Sequence, residues 1–146
     1  MKIRISLLAV ALAMPALFPR CFAQSDAVLL SRVKTIYVGT MGKGNEAEHY
    51  RTLLNDELHR VGFDVAGKTE AADAILSGTS SSEVHGDKAT ARATVTLKTR
   101  SGRQIWSGDY VSQHAGLGAN NTVQDTAANC AERLRKDWEK AAALNK

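Results

Sequence analysis

The 146 residues hold only two cysteines, Cys21 and Cys130. Once an N-terminal leader carrying Cys21 is removed, Cys130 stands alone and an internal disulfide is excluded. An exported domain without disulfides has to rely on a hydrophobic core, which β-branched strands and two amphipathic helices can fill. Charge of one sign is missing too. The formal balance of +4 falls to +1 when Lys2, Arg4 and Arg20 leave with the leader, because these are three of the 19 Lys and Arg and none of the 15 Asp and Glu goes with them. So small a balance gives no electrostatic footprint for nucleic acid. The apolar run from Ile5 to Phe18 is too short, and too broken by Pro15 and Pro19, for a membrane span of roughly 20 residues. Internal repeats and low-complexity segments are absent as well.

What the N-terminus does contain is the pattern of a secretion signal. Lys2 and Arg4 form a positive n-region, and Ile5 to Phe18 is an apolar h-region. Cys21-Phe22-Ala23 offers small residues at the two positions a signal peptidase reads, which places cleavage between Ala23 and Gln24. The expectation is a signal peptide over residues 1–23, a lead-in over 24–32 and one α/β sandwich domain over 33–144. The product would be periplasmic or secreted. Two rivals are a retained N-terminal anchor and a lipid on Cys21, although Phe18-Pro19-Arg20 is a poor lipobox.

The domain is organised around Ala71 to Val111, which reads as three consecutive antiparallel strands. Between Thr90 and Thr99, Ala91, Ala93, Val95 and Leu97 alternate with Thr90, Arg92, Thr94, Thr96 and Lys98, so one face is apolar and the other polar. The strand before it, Asp73 to about Val84, is apolar on both faces through Ala74, Ile75 and Leu76 and polar from Ser77 to Ser82. It reads as a central strand that runs out past the covered core. Gly86-Asp87-Lys88 and Arg100-Ser101-Gly102 supply hairpin turns. Upstream, Val33 to Gly39 is a β-branched strand and Thr40 to Gly44 a flexible loop. Asn45 and Glu48 then form a capping-box pattern. Ala47, Tyr50, Leu53, Leu54, Leu58 and Val61 make one helical stripe, closed by Gly62 as a C-terminal cap. Phe63 to Ala66 is a short second strand. Downstream, Asn121 with Gln124 starts a helix whose stripe is Val123, Ala127, Ala131, Leu134, Trp138 and Ala141. The fold class is α+β, in the order β-α-β-β-β-β-α: a mostly antiparallel four- to five-stranded sheet with two helices on one face.

Candidate chemistry is weighed against plainer readings. Gly39 to Asn45 lies where phosphate loops live, but it matches neither G-x-x-x-x-G-K-[ST] nor G-x-G-x-x-G, and Glu46 and Glu48 would repel an anion. His49 and His59 are about 1000° apart on one helix. His85 and His114 fall two strands apart, roughly 9–10 Å, too far to share a zinc held at about 2 Å per bond. All four read as surface histidines. Cys130 reads as a small core residue. Ser80, Ser81 and Ser82 lack a nucleophile elbow and a paired base. No catalytic, cofactor-binding or metal-binding residue is therefore assigned, and no cofactor is expected. Trp106, Gly108 and Tyr110 share a strand face opposite Ile105 and Val111. If Ile105 and Val111 face the helices, Trp106 and Tyr110 form a partner-binding patch on the other side of the sheet. The plainer readings reverse the faces or leave Trp106 packed by neighbouring polar stems.

Three segments carry a family resemblance: Ala72-Asp73-Ala74-Ile75-Leu76-Ser77-Gly78, the hairpin Ser101-Gly102-Arg103-Gln104-Ile105-Trp106-Ser107-Gly108-Asp109-Tyr110, and Gly62-Phe63-Asp64-Val65. Together they resemble bacterial envelope domains of the TolB amino-terminal and CsgG-like kind, over about Val33 to Leu144. The chain departs from them in lacking a good lipobox, a following propeller and the CsgG pore-forming insertions. The resemblance implies a non-enzymatic binding or assembly module of the cell envelope. An envelope protein would be its partner, with peripheral membrane association and no nucleic acid. The rival class is a small periplasmic hydrolase or metal-dependent enzyme using His85, His114 or the glycine-rich loop from His114 to Asn120.

Overall fold

The computed structural model describes residues 25–116 and 119–146. The expected signal peptide and its Ala23–Gln24 junction lie outside the described residues. The fold is α+β: a five-stranded mixed sheet with two long helices and one short one. Strands β1 (Thr35–Val38), β2 (Asp64–Val65), β3 (Ala74–His85), β4 (Lys88–Thr99) and β5 (Gln104–Ala115) lie in the order β2-β1-β3-β4-β5. β1 pairs in parallel with β2 and β3, and β3-β4-β5 is an antiparallel meander. The helices are α1 (Asp26–Ser31), α2 (Asn45–Arg60) and α3 (Ala119–Leu144), with a single 3₁₀ turn at Thr69–Ala71.

The period-2 pattern decides which face is covered. Ala89, Ala91, Ala93, Val95 and Leu97 are buried, whereas Lys88, Arg92, Thr94 and Lys98 between them are exposed. Ile36, Val38, Ala74 and Leu76 complete the buried face, and Tyr50, Leu54, Leu58, Ala127, Ala131 and Leu134 close over it from α2 and α3. Aliphatic side chains of this size contribute about 1.5–3 kcal/mol each when fully buried. Among the described residues, no helix covers the other face.

The sequence motifs become hydrogen bonds. Asp73 of the Ala-Asp-Ala segment accepts from the backbone N–H of Lys34 at 2.9 Å and of Thr35 at 3.0 Å, which fixes the start of β1. Asp73→Ala strands both donors at a solvent-exposed site, so a loss of about 1 kcal/mol is expected in urea unfolding. An unchanged midpoint would show that water replaces the carboxylate. At the end of α2, Gly62 has φ 94°. Its N–H bonds the His59 carbonyl while the Phe63 N–H bonds that of Leu58, the pair of bonds that closes a helix with a left-handed residue.

Four local expectations change. The lead-in carries α1, capped by the Ser25 hydroxyl accepting from the Val28 N–H. Asn45 is not the N-cap of α2: Gly44 holds that position at φ 91°, a backbone that favours glycine, and its carbonyl receives the Glu48 N–H. α3 begins at Ala119, so Asn121 lies inside its first turn. Thr40 and Met41 are not a free loop, because their carbonyls accept the N–H groups of Gly78 and Ser80, extending the β1–β3 pairing, and Met41 is buried.

Candidate binding cleft and open sheet edge

β3, β4 and β5 are each 12 residues long, and they run past the part of the sheet that the helices roof. The polar half of β3 is the local cause, since Ser80 and Ser82 on the helix side offer nothing for a helix to bury. A cleft of about 450 Å³ opens there. Asn45, Glu46 and His49 from the first turns of α2, Ser80 and Ser82 from β3, and Asn120 from α3 supply polar groups. Tyr50, Val84, Ala91 and Val123 supply apolar wall. The arrangement suits hydrogen bonding to a small polar group. Of these groups, Ser80 is already engaged, its hydroxyl donating to the Met41 carbonyl at 3.1 Å.

Behind the cleft lies a buried polar cluster. The Tyr50 hydroxyl has no oxygen or nitrogen partner; its polar neighbour is the Cys130 thiol, a weak hydrogen-bonding group, with the Tyr110 phenol nearby. Burial pushes the Cys130 thiol up to about 12 and raises both phenols above the usual tyrosine range. At neutral pH all three are therefore protonated, and Cys130 is a core residue without nucleophilic character. Tyr50→Phe removes a buried hydroxyl that has exchanged water for no partner better than a weakly bonding thiol. Stability is expected to rise by roughly 1 kcal/mol in urea unfolding; a loss instead would reveal a bound water bridging that hydroxyl.

Trp106 and Tyr110 do not form a patch on the open face. Strict alternation fails at a bulge: Lys98 pairs Gln104 and Leu97 pairs Trp106, leaving Ile105 without an opposite residue. An extra residue in one strand turns two neighbours toward the core, and Ile105 and Trp106 are both buried. From Trp106 onward the even-numbered residues face the helices. The Trp106 Nε1–H donates to Asp137 on α3 at 3.1 Å, and Tyr110 packs against the core. It is Val111, 53% exposed, that faces solvent. Desolvation would raise the Asp137 carboxyl, but the bonds from Trp106 and Arg133 prevail and hold it below the usual range. Its contribution to stability is complete above the ordinary carboxylate pKa and is lost as pH falls through the lowered folded value.

The histidines stay apart. His85 lies on the open face with Glu83 as neighbour, whereas His114 lies on the helix face bonded to Asp125. Among the described residues, no group of three His, Cys, Asp or Glu gathers to hold a metal ion. No described helix is long and apolar enough to cross a membrane. Sequence reasoning missed the cleft because Asn45 and Asn120 read as cap and loop. Its one signal was the polar stretch Ser77–Ser82.

The fold has counterparts among solved structures. A dodecamer of PelC, in a single-substitution variant, from Paraburkholderia phytofirmans matches with a TM-score of 0.60 at 17% identity, over 70% of this chain and 86% of that one. Lipoprotein GNA1162 from Neisseria meningitidis matches at 0.45 and 17% identity, over 68% and 96%. A DUF4136 family protein from Bacteroides thetaiotaomicron matches at 0.37 and 9% identity, over 82% and 91%. The first likeness shows that this chain shares its fold with that protein. None of the three bears the TolB or CsgG name, and that likeness rests on the sequence motifs. No protein-family model matches the sequence, and no curated protein does.

Proposed function

We propose that the chain is an exported, non-catalytic binding and assembly module of the bacterial cell envelope. The observation that carries this reading is the uneven cover of the sheet: helices roof one face, while the other face and the Ser107–Ala115 stretch of the edge strand stand bare among the described residues. PelC, which shares the fold, is a dodecamer, a precedent for this architecture acting by association. The secretion-signal pattern supports export, with release at Gln24 as the first form and a lipid on Cys21 as the second. The rival reading, a hydrolase or metal enzyme built on His85 and His114, gains no support from two side chains on opposite faces of the sheet.

The test is to express the full chain with its own leader and fractionate the cells. Intact mass and sedimentation of the purified product follow. The reading expects an envelope-fraction protein whose mass starts at Gln24, or carries a diacylglyceryl group on Cys21, and which associates with itself or with an envelope protein. A full-length product that stays in the cytoplasm and is monomeric at the highest attainable concentration would overturn it.

A further inference from the structure

We infer that the free edge of β5 is an interface for a second copy of this chain, joined antiparallel across a two-fold axis at Val111. The inference rests on the reading of the chain as an assembly module and names its surface.

The two edges of the sheet are managed differently. β2, at one end, is two residues long, too short to template another strand. β5, at the other end, runs for 12 residues as QIWSGDYVSQHA, with no proline and no lysine to discourage pairing. Its bulge lies at the Gln104–Trp106 end, where Asp26 of α1 also holds Arg103 at 2.8 Å. The remaining stretch, Ser107 to Ala115, has the Asp109 carboxylate as its one charged edge guard.

Which groups point outward follows from one bond. The Gly116 N–H donates to the Asp87 carbonyl, and the register continues through Ala89–His114, Ala91–Ser112 and Ala93–Tyr110. In an antiparallel pair the bonded positions recur every second residue. The even-numbered residues of β5 therefore bond to β4, and the odd-numbered ones turn their N–H and C=O to the free edge. Ser107, Asp109, Val111, Gln113 and Ala115 are all exposed.

A second copy meets this edge with the same odd-numbered groups, so a two-fold pairing satisfies donors and acceptors on both sides. Pairing odd-numbered residues with one another allows several registers. Those centred beyond Val111, with Val111 opposite the second copy's Gln113 or Gln113 opposite its own copy, leave Ser107 without a partner and shorten the ladder. Asp109 opposite its own copy sets two carboxylates together, which is unfavourable. Asp109 opposite the second copy's Val111 sets a carboxylate against an apolar side chain and draws the bulged end into the pairing. Val111 opposite its own copy covers a valine that is 53% exposed in the single chain. That register also places Asp109 where it accepts from the amide of the second copy's Gln113, and it spans Ser107–Ala115, stopping short of the bulge and α1. It is the one that pairs the whole stretch without a conflict.

Sedimentation equilibrium of the processed protein tests this. The wild type is expected to show a concentration-dependent dimer. Val111→Lys puts two ammonium groups on the axis and should weaken it roughly tenfold or more. Val111→Pro removes an N–H that makes no bond to β4, so it should abolish the dimer while the monomer keeps its far-UV circular dichroism. Gln113→Lys should tighten the dimer by facing the second copy's Asp109, with the gain lost at high salt, and Gln113→Asp should loosen it. A dimer indifferent to both Val111 variants overturns the edge interface and leaves the assembly-module reading standing. A wild type that stays monomeric but loses an envelope partner on Val111→Lys overturns the second copy as occupant. A monomer with no partner at all overturns both.

Discussion

Gly78→Ala is expected to destabilise the domain by about 3 kcal/mol or more, measured as a fall in the urea midpoint with the slope retained. A Cβ built on Gly78 would lie 1.9 Å from the Thr94 carbonyl oxygen and 2.9 Å from both the Thr94 carbonyl carbon and the Val95 Cα. These are backbone atoms of the neighbouring strand, so no side chain can swing aside to make room. Gly78 pairs with Val95 in the middle of the twelve-residue β3–β4 ladder, and separating the strands there breaks bonds on both sides. The glycine that ends the Ala-Asp-Ala motif is thus demanded by close approach of two backbones. Gly67→Ala is the control: no atom lies within 4 Å of its Cβ position and its φ is ordinary, so the change should stay within about 0.5 kcal/mol. If Gly78→Ala cost no more than Gly67→Ala, the close approach of β3 and β4 would be wrong.

That glycine marks how far the sequence could be read. Residues 90–99 alternate without exception, and a half-buried strand follows directly, as do the hairpins on either side of it. Gly62 announced its helix end because a left-handed cap needs it. Legibility stopped where local pattern met a non-local partner. Asn45 satisfies every local rule for an N-cap, yet Gly44 takes the place. The β1–β3 pairing continues through Thr40 and Met41, and the chain then enters α2 through a backbone that favours glycine. Strict alternation from Ile105 sets Trp106 and Tyr110 on the wrong face. One extra residue reverses every side chain beyond it, and nothing in Gln104-Ile105-Trp106 signals a bulge. The cleft was illegible for a similar reason, since its polar groups come from α2, β3 and α3 and meet only in the fold. The bare edge of β5 needed the strand order, which no single strand declares.

Trp138→Ala is expected to cost about 3 kcal/mol and Trp138→Phe about 1 kcal/mol, the difference separating packing from hydrogen bonding at one site. The indole packs edge-on against Phe63, ring centroids 6.2 Å apart at 88°, and Arg135 stacks over it with its guanidinium carbon 4.5 Å from the ring centroid. Its Nε1–H donates to the Val33 carbonyl at 2.8 Å. Trp138 therefore fastens α3 to the chain entering β1 and to the turn that follows Gly62. Phenylalanine keeps an aromatic ring against Phe63 and loses the bond with part of the indole's bulk, while alanine loses ring and bond together. Equal costs for the two variants, by urea unfolding, would assign the whole effect to the Val33 bond and contradict the packing account. The pairing groups at the free edge of β5 belong to its odd-numbered residues, whereas α3 bonds the strand through even-numbered ones, Trp106 and His114. Self-association through Val111 should consequently survive Trp138→Phe undiminished. A dimer that weakened in that variant would place α3, rather than the strand edge, at the interface between copies.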